Sequence, residues 1–587
     1  MKNKIWRILL CSALLLLCIS LFTGCQEETE IGPYMENEGE SETDPTEASA
    51  TEKTPKTLDD TKFNIFFKRE YLCAFVLPAE PTEAEEQVAE ELKALMKEQT
   101  GEELSFISDG DSVDGYNSIV LIGNTKYDES KSARALLSER EAIIEVKNNK
   151  LVIAFADLPS GLGAVRTLMK ELADNEKGQM RLSFSYKEIY QALPPMEEFP
   201  LIEGYEKEID CGENTFMKYF SNALVSEFED YRDQIDEAGF EKLSEREEKG
   251  NRFATFAAED GYAYLYYTEY SKEIRLVTGP IEALALEDYS TGAEENTEAY
   301  IASIPQTKPG QGYIFRLPDG RFIIQDGGYK DNDRVYKALR TLAPKGEITI
   351  AAWFISHPHG DHYPAFIDFI KNHNFDKSIK IERLIHNYAN YEMYNITGSA
   401  GKEENGPEVQ ALYAAVAEYM PDLPVIKAHT GQVMKFGSAT VEVLYTIEDL
   451  LPKQITNIND SSMVIRLNIA GNSIMILADT CYASGPILNS MWGDYLKSDI
   501  AQMAHHSMWP SVESIYHSMQ AEVLLHSTMY SGLKEYIKPT QRWANVMEVA
   551  FSYAKDMHVS DSLGDVIKLP YVIRNNKDEM LEYIKNY

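Results

Sequence analysis

The chain is 587 residues long, with 94 Asp and Glu against 56 Lys and Arg and a formal net charge of −38. That charge favours solubility and argues against an unaided nucleic-acid surface, because phosphate backbones are bound mainly through Lys and Arg. Of the six cysteines only Cys73, Cys211 and Cys481 lie beyond residue 25, widely separated, so no disulfide framework is implied.

Lys2, Lys4 and Arg7 precede an apolar stretch from Ile8 to Phe22 and then Thr23-Gly24-Cys25. The stretch is short for a membrane span. Residues 1–25 resemble a bacterial lipoprotein signal peptide, which implies cleavage with lipid attachment at Cys25 and a protein anchored on the extracytoplasmic face of the cell membrane. Phe22 departs from the aliphatic residue usual three places before that cysteine, and an uncleaved anchor gives the same location. Residues 26–60 are rich in Glu, Thr, Ser and Pro and have too little apolar surface for a core, so they are expected to form a disordered acidic tether.

Residues 61–200 alternate strand and helix and are read as an α/β accessory domain. Asn117 to Asn124 predicts a buried strand and turn, Ala142–Val146 with Leu151–Ala154 a hairpin over Asn148-Asn149, and Gly161 to Ala173 a helix. The arrangement is similar to the small α/β domain ahead of the catalytic barrel in some glycoside hydrolases. Residues 201–295 read as a small α+β domain, with a helix around Ala223–Ala238 and strands at Arg252–Ala257 and Tyr262–Tyr267. Tyr262, Tyr264 and Tyr266 share one face of the second strand, which suits either glycan contact or core packing, and strand aromatics more often pack a core. The polar stretch around Glu294-Glu295 suits a linker.

The third unit, 296–587, carries all eleven histidines. Gly312 to Gly328 predicts a hairpin turning at Asp319-Gly320. Ile348 to Ser356 is a mostly apolar run that reads as a buried strand, and it ends at His357-Pro358-His359-Gly360-Asp361-His362. Alternate side chains of an extended segment point the same way, so His357 and His359 can grip one metal ion. A turn at Gly360 presents Asp361 and His362 in another direction, which suits a second ion about 3.5–4 Å away. Two further apolar runs end in candidate ligands: Ser473 to Ala478 before Asp479, and Asp499 to Ala504 before His505-His506-Ser507.

His-x-His-x-Asp-His after a strand resembles the signature of the metallo-β-lactamase-fold hydrolases. The His505-His506-Ser507 and Asn459-Asp460-Ser461-Ser462 elements are similar to the metallo-hydrolase domain of competence DNA-uptake proteins. The resemblance implies a multidomain α/β and α+β protein whose carboxy-terminal αββα metallo-β-lactamase sandwich follows two small accessory domains. It also implies that Asp326 of Asp326-Gly327-Gly328 braces the metal loop without binding metal, and that Asp479 is a bridging carboxylate. The ligand set expected is His357 and His359 on one ion, Asp361, His362 and His505 on the other, and Asp479 between them, with Asp361 also orienting the attacking water. His505 is preferred to His506 because it comes first after its strand. The chain departs from the family near Asn459 to Ser462, where a further histidine is usual. The first metal position is then weakly held, completed by water or Asp460, or empty. His386 and His429 read as structural histidines, His526 as a pocket residue, and His373, His517 and His558 as surface residues.

A histidine-rich set favours one or two Zn²⁺ ions, with Mn²⁺ or Fe²⁺ compatible with the oxygen ligands. The expected activity is metal-dependent hydrolysis of phosphodiester or other ester-like bonds in a small-molecule or polymeric substrate; a lactone- or amide-cleaving enzyme on the same scaffold is a separate reading that nothing in the sequence excludes. The reading from a different class is a surface glycan-binding lipoprotein with a degenerate metallo-hydrolase domain.

Overall fold

The computed structural model describes residues 58–587 except 117, 174, 176–177, 306–307, 331–332, 344–345, 399–400 and 562–564. The segment expected to be a signal peptide, 1–25, and nearly all of the expected tether, 26–60, lie outside the described residues.

The first sheet owes its form to short apolar runs too continuous for a half-exposed strand. Its strands lie in the order Phe106–Ser108, Cys73–Leu77, Ser118–Ile122, Lys150–Phe155, Glu141–Lys147, Lys187–Gln191, and the first four are mutually parallel. The expected hairpin is present, with Asn148 and Asn149 both at positive φ in the turn. Helices Glu83–Thr100 and Leu158–Ala173 cover one face through Val88, Leu92, Ala164 and Leu168. Thr82 and Glu85 form a capping box at the start of the first helix.

Next comes a six-stranded antiparallel sheet ordered Lys207–Asp210, Phe216–Phe220, Glu273–Pro280, Gly261–Thr268, Asn251–Ala257, Glu241–Glu248. Helix Val225–Glu237 packs on one face through Phe228 and Ile235. The opposite face carries Tyr262, Tyr264 and Tyr266, all buried against the carboxy-terminal unit. Their hydroxyls meet His429 Nε2 at 2.7 Å, the Thr430 carbonyl at 2.8 Å and Asp449 Oδ1 at 3.2 Å. Beside them Arg275, also buried, donates to the carbonyls of Glu448, Asp449 and Leu451 and to Glu273. The tyrosine face is therefore core and offers no glycan platform.

The carboxy-terminal unit stacks two mixed sheets. One runs Val425–Lys427, Leu384–His386, Ile348–Phe354, Phe322–Asp326, Gly312–Arg316, Tyr300–Ser303, Val566–Lys568, with Ile379–Ile381 also paired to Ile348–Phe354. The other runs Val433–Phe436, Ala439–Tyr445, Val464–Ile469, Asn472–Ile476, Ile500–Gln502, Val523–His526, Asp556–Val559. Between them lies a core that includes Phe354, Ile385, Val441, Ile465, Ile476 and Leu525. On the outer face of the first sheet Trp353 packs edge-on to Phe366 and Phe369 of helix Pro364–His373. Helices Ser484–Trp492, Glu513–Met519 and Ala544–Tyr553 cover the second. The layers are thus α, β, β, α.

Two expectations change here. The run Ile381 to Ile385, expected from its apolar residues to be one strand ended by His386, is two short strands, Ile379–Ile381 and Leu384–His386, broken where Glu382 turns to pair with Arg321. His558 is not a surface residue: it lies on the last strand of the second sheet, buried, between Asp565 and Tyr571.

Candidate metal centre

Parallel strands in both sheets end on the same side of the sandwich, and such carboxyl ends are where open α/β sheets place their ligands. Phe354 is followed by the histidine loop, Phe322–Asp326 ends in Asp326, Asn472–Ile476 leads to Asp479, and Ile500–Gln502 leads to His505-His506. Two buried residues align these ends. Gln502 accepts from Leu477 N–H and donates to the Ala478 carbonyl. Asp326 takes Ser356 N–H on Oδ1 at 2.8 Å, and on Oδ2 the Ser356 hydroxyl at 2.9 Å, Gln311 Nε2 at 3.1 Å and His362 Nδ1 at 2.8 Å. Gly327 must be glycine because a Cβ there would lie 2.9 Å from Ala365 Cβ at the start of the helix after the loop.

The carboxylate of Asp326 holds Nδ1 of His362 and so turns Nε2 inward. His362 Nε2 lies 3.2 Å from Asp479 Oδ1, and His506 Nε2 lies 3.2 Å from Asp361 Oδ2 and 3.4 Å from Asp479 Oδ2. These four residues each offer one donor atom, all within 4.8 Å of one another. A second group joins His357, His359 and Asp479, with His357 Nε2 3.1 Å from His359 Nδ1 and 3.8 Å from Asp479 Oδ2.

The sequence reading preferred His505, but the structure places His506 in the four-residue group, while His505 Nε2 stands 3.6 Å from Asp479 and its ring meets Trp509 edge-on. The backbone explains the exchange. His505, His506 and Ser507 have φ of 50°, 56° and 68°, three successive left-handed residues. Strand alternation is lost there, so coming first after the strand does not decide which histidine joins Asp361, His362 and Asp479. Such strain persists only where surrounding structure holds it and clusters at functional sites.

Near the absent middle histidine, Ser462 Oγ sits 3.3 Å from His357 Nδ1 and accepts Asp479 N–H at 3.2 Å. Asp460 does not complete the first group. Its Oδ1 accepts Ala483 N–H and both N–H and hydroxyl of Ser484, capping the helix that follows Asp479. His386 accepts Tyr388 N–H, and burial pushes it down to about 3. His429 is held between Glu448 and Tyr262. His526 is buried, with Nδ1 on the Ser507 hydroxyl, so it supports the histidine turn from behind.

The electrostatics separate the imidazoles. Burial drives His357 well below its ordinary range, with His362 and His359 adding to the effect, and pushes His505 down to about 4. Burial also opposes charge on His362 and His506, but Asp479 and Asp326 hold His362 well above its usual value, and Asp479 and Asp361 hold His506 at about 9. Against burial, His506 and His362 keep Asp479 well below the carboxylate range.

The donors fit a divalent cation. His362 Nε2, His506 Nε2 and Asp479 Oδ1 are buried without a hydrogen-bond partner, although each lies close to an oppositely charged group. Unsatisfied buried polar atoms are costly and rare. Three of them converging with Asp361 are accounted for by one shared cation.

Together the layers, strand order and ligand-bearing ends make an αββα sandwich of the metallo-β-lactamase kind. Metallo-β-lactamases and a diiron β-hydroxylase are among the solved structures similar to the chain. They include a point mutant of the CmlA β-hydroxylase, at 12% identity over 83% of this chain and 84% of that one, TM-score 0.29. A second CmlA structure, a diiron β-hydroxylase from Streptomyces venezuelae, aligns at 11% identity over 46% of this chain and 54% of its own, TM-score 0.28. A metallo-β-lactamase from Cronobacter sakazakii aligns at 15% identity over 44% and 93%, TM-score 0.22. No protein-family model and no curated protein sequence matches the chain.

Sequence reasoning missed Ser356, Gln311, Ser462 and Gln502, whose roles depend on partners far along the chain. It also missed Tyr329, whose hydroxyl lies against Asp361. The Asp326-Gly327-Gly328 element immediately before Tyr329 was the available signal.

Proposed function

We propose that the chain is a metal-dependent hydrolase of phosphodiester or other ester-like bonds, with Asp361, His362, Asp479 and His506 holding one ion and His357, His359 and Asp479 supporting a second. The observation that carries this reading is the convergence of donor atoms from Asp361, His362, Asp479 and His506 within 4.8 Å of one another, three of the four residues buried. A bound Zn²⁺, or Mn²⁺ or Fe²⁺, would supply the acidification of water and the polarisation of the bond under attack.

The chain's own residues do the rest. Asp326 keeps a proton of His362 on Nδ1, so that Nε2 is the atom left to face a cation once its own proton is displaced. Asp361 is the most open of the four donors, its side chain 22% exposed against 0–1% for the others, and against the effect of burial His506 keeps it ionised. It is thus placed to orient the attacking water and accept its proton, while water and ester give an alcohol and an acid. In this proposal Cys25 carries the lipid anchor and the folded chain works outside the cytoplasmic membrane. The likeness to competence DNA-uptake proteins extends to the site and not to the nucleic acid, given a net charge of −38.

The test is metal content by elemental mass spectrometry together with hydrolysis of bis(p-nitrophenyl) phosphate, p-nitrophenyl acetate and a homoserine lactone. Metal uptake that an Asp479→Ala variant loses along with turnover supports the proposal. A metal-replete preparation that retains no metal sinks it.

A further inference from the structure

The mouth of the metal centre carries aromatic rings and cations that the ligand set does not use. Trp509 is 43% exposed, its ring centroid 4.9 Å from that of His505 and 6.5 Å from that of half-buried Trp543. Tyr482, 47% exposed, follows Asp479 by three residues, and the Arg542 guanidinium lies 5.5 Å from the centre of its ring. Tyr329 stands against Asp361, and Lys308 Nζ lies 3.4 Å from the centre of the Tyr329 ring.

Two features of this rim, taken together beside the ligand loops, point to a ligand. Large aromatics left in water forgo the burial that normally fixes them in a core, and here Tyr482 and Trp509 do so directly after the loops that carry Asp479 and His506. Arg542 and Lys308 make no ion pair among the described residues, in a chain whose carboxylates outnumber its cations by 94 to 56. Cations left unpaired amid such an excess of negative charge are complementary to an incoming anion. Exposed ring faces accept a second flat face by stacking or by C–H contact.

We propose that this rim selects the substrate of the hydrolase proposed above, and that the substrate is an anionic ester bearing a ring with an exposed face. Trp509 with Trp543 receives the ring, and Arg542 with Lys308 receives the negative charge. The inference rests on the hydrolase reading for where the scissile bond lies. The ring can be aromatic or a sugar, since both present a face to indole.

The experiment titrates the intrinsic fluorescence of the zinc-loaded full chain with phenyl phosphate, glucose 1-phosphate, methyl phosphate and phenol, with metal content measured on the same samples. Phenyl phosphate or glucose 1-phosphate should bind at least tenfold more tightly than both methyl phosphate and phenol, and the tighter of the two identifies the ring. Trp509→Ala should abolish the advantage over methyl phosphate, and Arg542→Gln the advantage over phenol. Trp509→Tyr and Arg542→Lys should restore most of each. Both positions lie on the rim and outside the ligand set, so folding and metal content should match the parent. With bis(p-nitrophenyl) phosphate the Ala and Gln variants should raise KM and leave kcat nearly unchanged. Equal binding of all four probes, or variants indistinguishable from the parent, overturns the rim assignment even where metal and turnover are present. Absence of metal uptake overturns the hydrolase reading and is scored separately from the binding series.

Discussion

Asp326→Asn replaces a single atom and tests whether a carboxylate that touches no substrate controls the centre. The backbone tolerates the change, since φ at this position is +55° and Asn is enriched in that region. The hydrogen bonds do not. All four groups around the carboxylate present donors: Ser356 N–H on one oxygen, and the Ser356 hydroxyl, Gln311 Nε2 and His362 Nδ1 on the other. An amide must aim its NH₂ at one side. Turned toward Ser356 N–H, it sets donor against donor in a buried site, at a cost of about 1–3 kcal/mol. Turned toward His362, it forces Nδ1 to accept and moves the ring proton to Nε2, the atom 3.2 Å from Asp479. Either arrangement should weaken zinc binding by about 10–100-fold, the usual effect of losing an outer-shell partner, or about 1.4–2.7 kcal/mol. Competition against a chromogenic chelator on the full chain measures it. A variant that holds zinc within twofold of the parent would refute the claim that Asp326 keeps a proton of His362 on Nδ1.

His506→Ala should remove at least half of the bound metal, whereas His505→Ala should leave metal content intact, and elemental mass spectrometry on both decides between the two imidazoles. Zinc affinity should rise with pH up to about 9, because below that value His506 carries a proton that the ion must displace, and His362, held well above its ordinary range, carries another. Each displaced proton contributes about tenfold per pH unit, so a pH-independent affinity between 6 and 8 would contradict the assignment. Arg275→Ala should destabilise the fold by about 3–5 kcal/mol, as expected when one member of a buried charged network is removed, and urea unfolding of the variant beside the parent checks it.

Much of the centre was legible because its ligands sit where apolar runs stop. The strand Ile348–Phe354 and the loop His357 to His362 could be read from hydrophobicity and residue type, as could the hairpin Gly312–Arg316 with Phe322–Asp326. The choice between His505 and His506 was not legible, because it depends on three left-handed residues in succession, which no alternation pattern predicts. Nor was the fate of Asp460, whose carboxylate is drawn away by the helix that begins 24 residues later. His558 looked polar enough for the surface, yet the last place in a seven-stranded sheet, beside Asp565 and Tyr571, buries it.

The tyrosine face of the antiparallel sheet bears on how this protein can be divided. Three hydroxyls and one guanidinium from residues 262–275 satisfy groups in the segment 429–451 of the sandwich. Cutting the chain near residue 295 would strip those groups of their partners and lay a band of aromatic surface open to water. The sheet and the sandwich are therefore expected to fold only together, and a fragment that starts at residue 201 should express in soluble form where one that starts at residue 296 does not. Recombination that exchanged the sheet for an unrelated module would have to rebuild Thr430, Glu448 and Asp449 along with it.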